Sequence, residues 1–426
     1  MIQASVAATR TGFLIAAFLL CAGPKCLCAP QSSAAPPAQA AGPAARKLNL
    51  AAALDLASRQ NLDLAAARLQ RAVAAAGIRI AKEIPNPSVS FSASRDAPHQ
   101  SLFFDQPLEI GGQRGRRVDV ANQEIALTDV EVRTVEREVR RKTREGFYGV
   151  ALAKGSTAQF ERALALAQRL QDIAKARFQA GDVPELEVFQ ADLQVSRAQA
   201  DVEVARQRER TALSALNALL NEPPETQWEI AGSLEDLPPD SQLADLIQRA
   251  AAANYDLQHL AQELKVEDSH HALLRAERVP DLDVQAGVDM NSPGDYRFGP
   301  RGQLSIGLPI FSRNQGELAQ SAATENLLQA NITAARRSVS GEVEQAYYTF
   351  ASFQTEVRLY QKTLLPMGRR LESLAEESYR AGKENFLFVL DAQRNVQQLE
   401  QEYLTSLFEL QTAFAELEEI VGESLD

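Results

Sequence analysis

The sequence predicts a mainly α-helical protein with a small β part, built as two copies of one unit. Three observations carry this. Two turn-forming stretches, QPLEIGGQRG (Gln106–Gly115) and GLPIFSRNQG (Gly307–Gly316), each open an interval that closes at an Ala-Gly pair, and both intervals, Gly115 to Gly181 and Gly316 to Gly382, are 66 residues long. Within them, apolar or small residues recur at a seven-residue spacing: Val118, Ile125, Val132 and Val139 in the first, Leu318, Ile332, Val339, Ala346, Phe353 and Tyr360 in the second. Ahead of each interval lie two short segments in which apolar and polar residues alternate. At about 1.5 Å per residue each interval makes a helix of roughly 100 Å, which needs other helices packed alongside it.

The first residues suggest export. Phe13–Cys21 is a short apolar run after Arg10, followed by small residues, as in a secretory signal peptide, and it is too short to span a bilayer as a helix. Cys21, Cys26 and Cys28 are the only cysteines, and Leu20, Lys25 and Leu27 before them disfavour a lipoprotein site. Cleavage near Ala29 removes all three, leaving no disulfide and no thiolate metal site. Loss of Arg10 and Lys25 also moves the formal net charge from −12 to −14, and an acidic exported protein is a poor candidate for nucleic-acid binding, so no nucleic-acid partner is expected. Residues 1–29 are therefore expected to be signal peptide and 30–47 a flexible Pro/Ala/Ser leader. No later apolar stretch approaches 18 residues, so any passage through a membrane falls to strands.

Taken in order, Leu48–Ile84 has Ala-rich helical spacing until Pro85 and Pro87 stop it. Residues 86–95 alternate Val89, Phe91 and Ala93 against Ser88, Ser90, Ser92 and Ser94, and 102–110 return with Leu102, Phe104, Leu108 and Ile110 in phase, making a hairpin. The long helix 115–180 follows, then a glycine turn and a return helix from Pro184 to Leu220. Residues 221–242, with four prolines and the only tryptophan, read as a linker. The second half repeats the order: helix Leu243–Val279, strands 281–290 and 302–310 around a loop at Asn291–Pro300, long helix 316–381, and a return helix to Val421 ahead of a short tail, 422–426. Domain expectations are thus 48–220 for the first repeat and 243–421 for the second, the two shorter helices of each stacking end to end beside the long one.

Each strand has the length and alternation of a transmembrane β-strand, although a small soluble sheet packed on helices would alternate in the same way. Four strands cannot close a barrel and would leave open edges in lipid; three chains would supply twelve. The order of these elements in both halves, with QPLEIGGQRG, LPIFSRNQG and the tip sequence YRAGKENFLFVLDA (Tyr379–Ala392), resembles the TolC-like outer-membrane efflux channels, and in particular their cobalt-zinc-cadmium branch. The resemblance covers residues 48–421. It implies a homotrimer in outer-membrane lipid, with a twelve-stranded barrel continuous with a long α-helical barrel across the periplasm, whose tip engages a periplasmic adaptor (a membrane fusion protein) and an inner-membrane resistance-nodulation-division pump. The chain would then be a passive conduit for divalent heavy-metal cations, with no cofactor of its own.

In this register Asp281, Asp283 and Asp289 face the lumen, where carboxylates favour cations or merely keep the pore wet. The resemblance further implies a periplasmic gate. Tyr379 matches a tyrosine of the family's lock and Glu187 an aspartate that it bonds; Glu384 stands where an arginine is expected; Asp391 matches one acid of the constriction and Phe388 replaces the other, as a hydrophobic gate residue or as core. Ala180, Gly181, Asp182, Ala381, Gly382 and Lys383 would form the helix tips that meet the adaptor. His270 and His271, beside Glu267 and Asp268, are the only histidine cluster, but adjacent helical residues point about 100° apart and do not make a ready ligand pair, so a solvated face is expected and no metal site. No catalytic motif is present, so the chain is not expected to be an enzyme. The alternatives in function are a poreless periplasmic coiled-coil adaptor or scaffold, and the same channel serving organic drugs or a secretion system.

Overall fold

The computed structural model describes residues 46–292, 294 and 296–425; the expected signal peptide and residues 30–45 of the leader lie outside them. Helix dominates. In chain order the elements are β1 (Arg46–Leu48), α1 (Leu50–Gln60), α2 (Leu62–Ala81), β2 (Ser88–Ala93), β3 (Gln100–Leu108), α3 (Gln113–Gln179), α4 (Glu185–Leu219), β4 (Trp228–Ile230), α5 (Leu243–Ala253), α6 (Tyr255–Ala276), β5 (Leu282–Ser292), β6 (Tyr296–Ile306), α7 (Gln315–Leu359), a π turn (Tyr360–Leu364), α8 (Leu365–Arg380) and α9 (Phe386–Val421). Among the described residues no helix is long and apolar enough to cross a membrane.

The long helix α3 is flanked by α1, α2 and α4, and the second long helix by α5, α6 and α9, so the shorter helices do stack beside the long ones. They are not single, however. Where one helix was expected over Leu48–Ile84 the chain steps out of helical geometry at Asn61 (φ −60°, ψ 130°), and it repeats the step at Asn254 (φ −60°, ψ 136°). Each asparagine is buried and fully employed. Asn61 Oδ1 accepts from Leu64 N at 3.0 Å while its Nδ2 donates to the Leu219 carbonyl; Asn254 does the same with Leu257 N and, at 2.7 Å, with the Ile420 carbonyl. A side chain that caps one helix start and also satisfies the end of a return helix outweighs the small helical preference of the Ala-rich spacing.

The second long helix differs from the first in one respect. Pro366 supplies no N–H and crowds the carbonyl four residues back, and the backbone answers with the π turn at Tyr360–Leu364. The seams show the effect. Val339, Ala346 and Tyr360 hold one buried heptad stripe, but the stripe continues at Gly368 and Ala375; Met367 and Leu374, which the unbroken heptad would bury, are 66% and 43% exposed. A parallel stripe runs Val343, Phe350, Val357 and then Leu365 and Tyr379. Both stripes advance by eight at the turn instead of seven.

The expected linker is structured. β4 pairs in parallel with β1, Arg46 opposite Trp228 and Leu48 opposite Ile230. Trp228 is buried and its Nε1 donates to Asn217 Oδ1 at 2.6 Å, while Asn217 Nδ2 donates to the Pro224 and Thr226 carbonyls. Leu48 and Trp228 join the main core with Phe147, Tyr148, Leu216, Phe350, Phe414 and Leu417. Beside that core a buried ion pair, Arg144 Nη1 to Glu418 Oε2 at 2.6 Å, lies next to the chain end, where Glu418 Oε1 accepts from Leu425 N.

Strand boundaries also shift. The first hairpin occupies 88–93 and 100–108, inside and ahead of the expected spans, and the second occupies 282–292 and 296–306, so most of the segment expected as a loop, Asn291–Pro300, is strand. Pro300, opposite Val288, lies on the outermost strand of the sheet, where among the described residues β6 has a paired neighbour on one side only.

Candidate functional site

The two hairpins merge. β3 pairs antiparallel with β5, giving one four-stranded sheet in the order β2-β3-β5-β6 whose outer strands have unpaired edges among the described residues. Alternation along each strand then sorts the side chains. One face collects Val89, Phe91, Leu102, Phe104, Leu108, Val284, Val288, Phe298, Leu304 and Ile306; Val89, Phe298 and Leu304 are each about 70% exposed, a contiguous apolar surface that water does not favour. The opposite face collects Ser88, Ser90, Ser92, Ser101, Asp105, Asp283, Gln285, Asp289, Arg301, Gln303 and Ser305.

Asp283 and Asp289 therefore share a face, as expected strand residues, whereas Asp281 does not lie in the strand. Asp281 precedes β5 and accepts from Gln113 Nε2 at 3.1 Å; the same nitrogen donates to the Val279 carbonyl, so Gln113 straps the start of α3 to the base of the second hairpin. Asp289 is buried, held by Ser101 Oγ at 2.6 Å and by Arg301 at 3.5 Å, and is not a free carboxylate. Arg301 falls between the loop expected at Asn291–Pro300 and the strand expected over 302–310; carrying the alternation of Gln303 and Ser305 back by one step reaches it.

At the other end of the long helices both turns are built alike. Asp182 N donates to the Arg177 carbonyl and Gly181 N to that of Phe178; Lys383 N donates to Ser378 and Gly382 N to Tyr379. Gly181 (φ 81°) and Gly382 (φ 66°) supply the left-handed residue that this paired C-cap requires. Ala180, Asp182, Ala381 and Lys383 complete the two exposed tips. The helices that leave the tips begin differently, α4 after Pro184 with Glu185 and Glu187 in its first turn, α9 with Asn385 Oδ1 capping Phe388 N.

The structure brings Tyr379 and Glu187 together: the phenol donates to Glu187 Oε2 at 3.3 Å, linking the end of α8 to the start of α4 across the two repeats. Tyr379 has no exposed surface and packs on Phe386, in a small core with Leu170, Ala191 and Val389. Arg177, which sequence reasoning did not single out, lies 4.8 Å from the centre of the Tyr379 ring and donates to its carbonyl. Its place in the tip sequence RFQAGD was the available signal. Burial, and then the Glu187 charge, push the Tyr379 hydroxyl above its ordinary range. The remaining gate candidates stand apart from this contact. Glu384 is exposed, Asp391 is exposed and 4.0 Å from Arg394, and Phe388 is 43% exposed, so within the chain it is not core.

His270 is half exposed, but His271 is not on a solvated face: it lies between α6 and α7, 3.2 Å from Glu325. Among the described residues no group of three or more such ligands is placed to hold a metal ion.

Residues 53–222 and 246–423 match the protein family described as outer membrane efflux protein. The cobalt-zinc-cadmium resistance protein CzcC of Cupriavidus metallidurans is 27% identical over 88% of this chain and 90% of its own length. The pyoverdine export outer membrane protein OpmQ of Pseudomonas putida is 25% identical over 77% of this chain and 70% of its own. Among solved structures, CusC, studied for folding and transmembrane channel formation, superposes with a TM-score of 0.72 at 18% identity, covering 91% of this chain and 96% of that one.

Proposed function

This chain belongs to the outer membrane efflux protein family, and from that premise we propose that three copies form the outer-membrane conduit of a tripartite system exporting divalent heavy-metal cations. The outer membrane is its location and efflux its task. The observation that carries the trimer is the four-stranded sheet: its apolar face is exposed, its β2 and β6 edges are open, and four strands are too few to close. β6 of one copy pairing with β2 of the next satisfies both edges, and twelve strands enclose a hollow pore whose wall is the polar face. Below the sheet, the long helices of three copies line a tunnel across the periplasm. Its tips meet a periplasmic adaptor, and a resistance-nodulation-division pump in the inner membrane supplies the energy. The Tyr379–Glu187 contact and the tip core around Phe386 hold the periplasmic end closed until the adaptor engages.

The heavy-metal cargo is supported by the similarity to the Cupriavidus protein over 90% of its length, while the similarity to a pyoverdine export protein keeps an organic cargo as the competing reading. Growth of a strain lacking this chain, with and without complementation, across graded zinc, cobalt, cadmium, nickel and copper and beside a panel of dyes and antibiotics separates them. Sensitivity confined to metals is expected. Sensitivity to organic compounds with metals unaffected would discard the metal cargo and keep the channel.

A further inference from the structure

The polar sheet face carries a cation among its acids. Phe103 of β3, Gly287 of β5 and Arg301 of β6 are successive cross-strand partners in one row of that face. Gly287 allows the arrangement, because a Cβ there would stand 2.4 Å from the Leu102 carbonyl oxygen and 2.5 Å from Cδ1 of Phe103. The Phe103 ring thus covers bare backbone, and the Arg301 guanidinium lies 5.6 Å from its centre, an attractive geometry for a cation and a π face. One row toward the hairpin end, Asp289 Oδ2 is 3.5 Å from Arg301 Nη1. The Asp289 side chain is 8% exposed and that of Arg301 50%. The carboxylate is therefore the buried anchor and the guanidinium is the group that the face presents. Toward the helical end the same face bears Asp105 and Asp283.

On the reading of this face as the channel wall, we propose that Arg301 sets charge selectivity at mid-height of the sheet, on the hairpin side of Asp283 and Asp105, a station that transiently binds small anions and disfavours bare divalent cations. A guanidinium pinned by its ring and its carboxylate keeps donors free for an oxyanion. Charges on a confined wall act on every ion that passes. A metal cation moving outward crosses the rows of Asp283 and Asp105 before it meets this cationic row, so the last part of its path favours an accompanying anion.

The test uses the purified full-length channel in planar bilayers under a potassium chloride gradient at low ionic strength, with reversal potential as the readout. Arg301→Gln is expected to raise the cation-to-anion permeability ratio about threefold or more, the Boltzmann effect of removing one unit charge several ångströms from an ion in water. The double variant Asp289→Asn with Arg301→Gln removes the buried carboxylate that the single change would orphan; because one charge of each sign is lost, its shift is expected in the same direction but smaller, set by the loss of the more exposed guanidinium, while Arg301→Lys keeps the wild-type ratio. Added inorganic phosphate should lower wild-type conductance and leave the double variant unaffected. The shift should vanish near 1 M salt, where the screening length is about 3 Å. An unchanged ratio in the folded double variant at low salt overturns the proposal. A wild-type protein that inserts without conducting defeats the channel reading, and this inference with it.

Discussion

Replacing Tyr379 by Phe probes the tip contact with the least disturbance. The ring keeps its packing on Phe386 and its place beneath Arg177, and only the hydroxyl bonded to Glu187 is lost. A hydrogen bond to a carboxylate contributes about 1.5–3 kcal/mol, but 3.3 Å is long for an O–H donor, and Glu187 is only partly buried and regains water, which places the loss near 1 kcal/mol. That is about a fivefold change per chain in the balance between closed and open tip. If three chains act independently on one gate, the product is about a hundredfold. Single-channel recording in planar bilayers reads it directly as a rise in closed-state conductance, with Tyr379→Ala as the larger perturbation. A Phe variant that conducts like wild type while the Ala variant opens would refute the hydroxyl as the latch and assign the role to ring packing. The pH dependence is a second arm. Because the Tyr379 hydroxyl is raised in the folded protein, its contribution is complete below the ordinary tyrosine value of about 10 and is lost as pH rises through the folded value. Alkaline opening should therefore be present in wild type and diminished in the Phe variant.

Two further outcomes test the packing. Gly422, the C-cap of α9 at φ 92°, has no room for a side chain, since a Cβ would lie 2.2 Å from the Ala253 carbonyl oxygen; Gly422→Ala should cost about 2 kcal/mol or more, whereas Gly77→Ala, in open space on α2, should stabilise by about 0.5–1 kcal/mol, both read from thermal or denaturant midpoints. Tyr360 and Tyr403 are each pushed up to about 12, by burial first and then by Glu402 and Glu235 respectively, so difference spectra should show these two hydroxyls still protonated near pH 11. Since both values are raised, their contribution to stability persists below the ordinary tyrosine range and fades as pH climbs toward 12; loss of both tyrosines should abolish the late phase.

The architecture was legible because its signals are repeated and additive. Equal intervals, a glycine at each tip and alternation in each strand recur in both halves, and Tyr379 and Glu187 lie within 3.3 Å of each other at the tip. The discrepancies come from single residues whose side chains decide against the average of their neighbours. Asn61 and Asn254 sit in helical spacing, yet each gains more from capping one helix and satisfying another than from continuing the run. Trp228 was surrounded by prolines, which read as a linker, but its indole and Asn217 order the segment from a distance in sequence that local patterns do not cover. The loop at Asn291–Pro300 was inferred from Pro and Gly content, whereas pairing with β5 along its full length turns most of it into strand. Arg301, one residue beyond that segment, then stands in β6 within 3.5 Å of Asp289, a pairing that local composition does not announce.

The eight-residue step at the π turn carries a consequence for insertions and deletions. Downstream of Tyr360–Leu364 every side chain is advanced by one position relative to the upstream heptad, and Tyr379 lies in the buried stripe only because of that advance. The turn thus behaves as a one-residue insertion already absorbed by the helix. Deleting one residue within 360–364 together with Pro366→Ala would return the segment to ordinary α geometry and leave the lower half in phase. Relieving the proline alone would let the helix rewind and rotate the tip by about 100°, bringing Ser378 to the place of Tyr379. In α3, which has no such slack, the same single deletion would turn Arg177 away from its ring. The two long helices are matched in length and unequal in their tolerance of a changed count.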